Sequence, residues 1–202
     1  YFLVCLVAIF CSGPCGFGLK WFFGYLKKIF NHIHPLLRAP AGAFIAAIIA
    51  LGLWFLLGIE PGYVLGVGER TITDLLTQTG NPLLQVWWII FIIIFAKTLT
   101  TGLTLMTGGS AGLLVPAMIL GGAMGAGMYY LLNLLSLIGN SNPQIFVIAG
   151  IASSLVAVIE VPLASIALVI EMFGASYAAP VMVAVGVCHL ISRNIRMAVK
   201  RH

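Results

Sequence analysis

The sequence predicts an all-α integral membrane bundle that includes broken and re-entrant helices, and three observations carry this. Of 202 residues, 61% are hydrophobic and only 7% are charged, whereas about 25% of residues are charged in a soluble domain. Several apolar segments reach or approach the roughly 20 residues that a helix needs to cross a hydrocarbon core about 30 Å thick. Toward the end of the chain the apolar segments shorten, broken at Glu160-Val161-Pro162 and Gly174-Ala175-Ser176. Broken backbone of that kind is tolerated at membrane depth only inside protein or beside a cavity.

Charge gives the topology. The net charge of +5 does not indicate nucleic acid, because the basic residues collect at the ends of apolar spans and form no dense patch. Lys20, Lys27, Lys28 and Arg38 make one group; Arg193, Arg196, Lys200 and Arg201 make the other. The positive-inside rule puts segments 20–38 and 193–202 in the cytoplasm, with an even number of crossings between them. The expected setting is multi-pass, in the cell (inner) membrane. No cleaved signal peptide is evident, since the apolar character does not stop. The chain starts at Tyr1 inside an apolar run and without an initiator Met, so it reads as a fragment or a processed half.

The elements follow in order. Residues 1–30 read as a first helix, bent at Gly13-Pro14 and ending in the basic stretch Lys27-Lys28-Ile29-Phe30. Asn31 to Pro40, with His32, His34, Pro35 and Arg38, reads as a polar interfacial loop; His32 and His34 are i,i+2 and would not share a helical face. A second helix is expected from about Ala39 to Gly58, apolar on all sides and therefore embedded. Glu60 to Arg70 holds three Gly, one Pro and three charges, a water-facing connection leading into a short amphipathic piece to about Thr77. Asn81-Pro82 opens the next span, a helix over 83–106.

Lys97 is the only charge in that span. A Lys near the middle of a span costs about 2.5–3.5 kcal/mol on insertion scales, so it faces a protein interior or a water-filled cavity, or else it snorkels toward a membrane face. Thr98, Thr100, Thr101, Thr104 and Thr107 can bond backbone carbonyls or pack on other helices. Residues 112–135 make the following helix, with Gly112, Gly121, Gly122, Gly125 and Gly127 as a close-packing face and Met118, Met124 and Met128 as gap fillers. After a polar turn, Ser136 to Pro143, come the spans 144–159, 161–173 and 176–192, two of them too short to cross. The cysteines Cys5, Cys11, Cys15 and Cys188 read as small buried residues, because no His or carboxylate lies near Cys11 and Cys15 to complete a metal site.

The most informative stretch is Gly108-Gly109-Ser110-Ala111-Gly112-Leu113-Leu114-Val115-Pro116. It sets a glycine-rich turn directly before a long apolar helix. The first four N–H groups of a helix have no intrahelical partner, and the summed peptide dipoles leave roughly half a positive charge there. Such an end binds anions. Gly108, Gly109 and Gly112 suit both a tight turn and close approach of an anion, as each lacks a Cβ. Ser110 could donate to the anion or cap the helix, and capping is the stronger reading.

These residues resemble the CLC family of chloride channels and chloride/proton antiporters. The stretch Gly108 to Pro116, followed by Leu120-Gly121 and Met124-Gly125, looks like that family's second-half anion motif and its helix. Pro61-Gly62-Tyr63-Val64-Leu65-Gly66-Val67-Gly68 is similar to a family segment. Phe146-Val147-Ile148-Ala149-Gly150-Ile151-Ala152 and Pro162-Leu163-Ala164-Ser165-Ile166-Ala167-Leu168-Val169-Ile170-Glu171-Met172 resemble the two short helices after the motif, and Lys97 falls where a basic residue is common.

The resemblance implies the CLC-type inverted-repeat bundle, of which residues 1–202 would be the second repeat, with no soluble regulatory domain in the chain. It further implies a homodimer in the lipid bilayer with one anion pathway per subunit, no nucleic-acid partner and no cofactor. The backbone amides of Leu113 and Leu114 would bind chloride or a similar anion, within the filter turn of Gly108, Gly109, Ser110, Gly112 and Pro116. Leu114 stands where an aromatic, commonly Phe, is usual; it keeps the N–H and removes the ring. The family's first-repeat Ser motif, gating Glu and proton-relay Glu belong upstream of Tyr1, and its central Tyr is missing after the last helix; Tyr177 lies before that helix and is no substitute.

Lys97, Glu160 and Glu171 are the candidate charged residues of the path. Glu160 stands where the family often has Arg, and reads either as a proton or cation ligand or as part of a polar loop at the membrane face. Glu171 matches a family Glu and is expected to pair with a basic or backbone partner. Two alternatives to anion transport stay open: a cation-coupled secondary transporter with Lys97 and Glu160 in the substrate path, and a non-transporting half-subunit or fragment. An enzyme is not indicated, since no nucleophile–base pair or metal-spaced cluster is present.

Overall fold

Proline and glycine set the ends of the helices. The computed structural model describes residues 2–12, 22, 24–25, 28, 35–66, 68–77, 86–106, 114–136 and 142–199. Among these run the helices α1 (Phe2–Ser12), α2 (Pro35–Leu57), α3 (Glu69–Thr77), α4 (Trp87–Met106), α5 (Leu114–Leu134), α6 (Pro143–Ile159), α7 (Pro162–Phe173) and α8 (Ala178–Val199). Pro143 and Pro162 each open a helix, where a fixed φ is suitable and the missing N–H would have had no intrahelical acceptor. The Asn142 side chain caps α6 by accepting the Gln144 N–H at 3.1 Å. At the other end Glu160 turns left-handed, φ 66 and ψ 16, and its N–H donates to Val156 O. Gly174, at φ 99, closes α7.

Two boundaries differ from the sequence expectation. Helix α2 starts at Pro35, so the interfacial loop expected over 31–40 is helical in its second half. Pro35 suits a first helical position, and Pro40 removes only one intrahelical hydrogen bond among the helix formers Leu36, Leu37 and Ala41. Helix α8 continues to Val199 rather than stopping at 192, which carries Arg193 and Arg196 onto its C-terminal turns, where cations complement the dipole. The bend at Gly13-Pro14, the start at Asn81-Pro82 and residues 31–34 lie outside the described residues.

Among the described residues, four helices are long and apolar enough to cross a membrane: Ala39–Leu57, Trp88–Leu105, Leu114–Leu134 and Ala175–Asn194. The first of them begins just after Arg38 and the last ends at Asn194, beside Arg193. Helices α6 and α7, of 17 and 12 residues, are shorter.

The core is the crossing of α5 and α6. Every residue of α6 from Phe146 to Ala157 is buried, as is every residue of α5 from Ala117 to Gly127. Backbones meet there without side chains between them. A Cβ at Gly121 would overlap Ser154 Oγ and the Gly150 carbonyl, and one at Gly125 would overlap the Phe146 carbonyl. The small-residue face is thus divided: Gly121, Gly122 and Gly125 meet α6, while Gly127 faces Ile90 and Phe91 of α4 at 3.6 Å. Met118 and Met124 are buried, and Met128 packs on the same core.

Around this pair, α1 inserts Val7, Ala8 and Cys11. Helix α2 is peripheral, exposing Phe44, Ile48, Leu51 and Phe55 while Ala46 meets Leu103. Cys11 and Cys188 are buried, and Cys5 is half-buried; Cys15 is outside the described residues.

Candidate functional site

Helix α5 is described from Leu114, so the described part of the anion motif consists of Leu114, Val115 and Pro116. Gly108, Gly109, Ser110, Gly112 and Leu113 lie outside the described residues, as does Thr107. The first described turn carries the backbone N–H groups of Leu114 and Val115, since Pro116 has none. The Leu114 side chain is 37% exposed, whereas from Ala117 onward the helix is buried.

That helix start is held from two sides. Ser154 on α6 shares its hydroxyl proton between Ala117 O at 2.7 Å and Ile151 O at 2.9 Å, which fixes the second turn of α5. Opposite, Gly68 sits so close to Ile119 that a Cβ would overlap Ile119 Cδ1. Gly68 has φ +87, a conformation favouring glycine.

Lys97 faces the interior. It is 2% exposed, and Nζ donates to Gly66 O at 2.7 Å and to Val64 O at 3.1 Å. Snorkelling is therefore excluded. Thr100, one turn further, shares its hydroxyl proton between the same Val64 O and Lys97 O of its own helix, both at 3.1 Å. Segment 61–68, expected to be a water-facing connection, is instead gripped by α4 along part of its length: Tyr63 and Val64 are buried, while Gly62 and Gly66 remain exposed. Thr98 and Thr104 bond the carbonyls of Ile94 and Thr100 on their own helix.

The acidic candidates do not join this cluster. Both hydrogen bonds of Lys97 go to backbone carbonyls, so neither Glu160 nor Glu171 is its partner. Glu160 is half-buried at the break between α6 and α7, where its left-handed backbone terminates α6. Glu171 is exposed and makes no hydrogen bond or ion pair among the described residues. Its exposure follows from helical phase: α7 buries Ser165 and Val169, and Glu171 lies two residues on, about 200° around the axis.

Sequence reasoning missed a polar network that ties α3 to its neighbours. Tyr63 Oη donates to Asp74 Oδ2 at 2.7 Å, Gln144 Nε2 donates to Leu76 O at 3.2 Å, and Tyr177 Oη donates to Gln144 Oε1 at 2.9 Å. The partners are far apart in sequence, and only the amphipathic character of α3 signalled that its polar face would need partners. Among the described residues no group of three His, Cys, Asp or Glu could hold a metal ion.

The model of the protein family described as "Voltage gated chloride channel" matches residues 1–193. No curated protein matches the chain.

Proposed function

The chain belongs to the voltage gated chloride channel family, and from that premise we infer that it carries chloride, or a similar small anion, past the N-terminal end of α5. The anion is held by the backbone N–H groups of Leu113 and Leu114. Gly108, Gly109, Ser110 and Gly112 form a turn whose lack of bulk lets the ion approach the backbone. One observation supports this above all. A 21-residue, largely buried helix, Leu114–Leu134, follows that glycine-rich run in the sequence, and its second turn is fixed by Ser154 and Gly68. Amides and a helix dipole bind an anion without a fixed full charge, which favours rapid release.

The same reading has the protein act as a homodimer in the cell membrane, with segments 20–38 and 193–202 cytoplasmic; their Lys and Arg residues support the sidedness. Cation coupling through Lys97 and Glu160 is disfavoured. Lys97 Nζ is engaged by Val64 O and Gly66 O, and Glu160 closes α6.

Chloride efflux from liposomes holding the purified protein tests the proposal. Efflux is expected from the native protein, and its loss when one residue is inserted between Gly112 and Leu114. Efflux unchanged by the insertion would overturn the assignment of those amides, and sodium-dependent uptake of an organic carboxylate would favour the cation-coupled alternative.

A further inference from the structure

We propose that Lys97 is a positioning residue for the anion pathway, one that acts through segment 64–68 on the first turns of α5 without touching the ion. The proposal rests on the anion reading above for its functional meaning. Its structural basis is separate.

An amino group at 2% exposure within a membrane span is costly unless it is fully engaged. Lys97 Nζ is engaged by two backbone carbonyls of a glycine-rich segment, Val64 O and Gly66 O, and Thr100 Oγ1 adds a second bond to Val64 O. Three hydrogen bonds from one face of α4 therefore hold two residues of that segment. Two residues further, Gly68 lies between the Lys97 stem and α5. A Cβ there would stand 3.5 Å from Lys97 Cε and would overlap Ile119 Cδ1. Ile119 is five residues into α5, about 7.5 Å along its axis from Leu114.

Val64, Gly66 and Gly68 thus form a wedge between α4 and α5, helices that are consecutive in the described chain. Fixing the wedge on α4 fixes where α5 begins relative to α4. Replacing Lys97 with an apolar side chain frees Gly66 O, leaves Val64 O to Thr100 alone, and lets Gly68 and Ile119 shift together. Enlarging Gly68 pushes on Ile119 from the same side. The two changes should disturb the same turns of α5.

The experiment compares Lys97→Met, Thr100→Val and Gly68→Ala with the native protein and with Gly52→Ala, where an added Cβ meets nothing within 4 Å. Two quantities are read: amide hydrogen exchange over residues 115–120, and the nitrate-to-chloride permeability ratio in liposomes. Lys97→Met and Gly68→Ala are expected to speed exchange there about tenfold and to move the permeability ratio in one direction, with Thr100→Val giving a smaller change of the same kind and Gly52→Ala none. If Lys97→Met fails to fold, Thr100→Val and Gly68→Ala decide the matter by the same pattern.

Exchange at native rates over 115–120 in the folded variants would overturn the proposal. So would an altered permeability ratio with native exchange, which would assign Lys97 a direct electrostatic action on the ion. Native protein without chloride flux would sink the anion reading instead, and the exchange rates would still decide whether Lys97 positions α5.

Discussion

An alanine at Gly121 should force α5 and α6 apart and destabilise the protein more than alanine at any neighbouring glycine that lacks a backbone contact. The added Cβ would stand 2.6 Å from Ser154 Cβ and would overlap Ser154 Oγ and the Gly150 carbonyl. Ordinary van der Waals contact begins at 3.4 Å, so relief of the Ser154 Cβ contact alone requires a displacement of at least 3.4 − 2.6 = 0.8 Å. The Gly150 carbonyl is backbone and cannot rotate away, so the helices must move. Overpacking of this kind costs about 1–3 kcal/mol. Displacing Ser154 also breaks its bond to Ala117 O, a further cost of about 0.5–1.5 kcal/mol. The total of about 1.5–4.5 kcal/mol converts to a fall of about 3–18 °C in the unfolding midpoint for a chain of this size. Gly127→Ala is the matched control, because its Cβ would meet Ile90 and Phe91 at 3.6 Å and helix propensity would improve by up to about 1 kcal/mol. The assay is thermal unfolding of both variants in the same detergent. A midpoint for Gly121→Ala within error of the native protein, or an equal fall for Gly127→Ala, would refute the close crossing.

Two other outcomes are expected. Thr71 is 1% exposed and its hydroxyl has no hydrogen-bond partner among the described residues, so Thr71→Val should leave stability unchanged or raise it by up to about 1–3 kcal/mol; a lower unfolding midpoint would contradict this. Glu160 holds φ 66, a conformation that costs a non-glycine residue about 1–2 kcal/mol; Glu160→Gly should raise the midpoint and leave chloride flux unchanged, and a loss of flux in a stable variant would show that the carboxylate works in the path.

Fold class and helix ends were legible because their causes are local. Apolar length, Pro143, Pro162 and Gly174 act within a few residues of where they stand. Pro35 misled because a proline can open a helix as well as precede one, and the choice depends on the residues that follow. The glycine face of α5 was readable as close packing, but its division between α6 and α4 was not, since a single helix pattern does not identify the partner. The orientation of Lys97 turned on carbonyls 31 and 33 residues earlier, which no local rule connects to it. The exposure of Glu171 was hidden for a related reason: α7 is apolar around most of its circumference, so sequence did not reveal that Ser165 and Val169 mark its buried side. For the candidate site, the helix from Leu114 onward is described, while the glycine turn before it rests on the motif and on family membership.

Replacing the peptide N–H of Leu114 with an ester oxygen tests the proposed anion site most directly, because it removes one donor and leaves every side chain in place. A hydrogen bond to a charged group contributes about 1.5–3 kcal/mol, so chloride affinity should fall about tenfold or more, with an unfolding midpoint close to that of the native protein. Native chloride affinity and flux in the ester variant would contradict the claim that the start of α5 holds the anion.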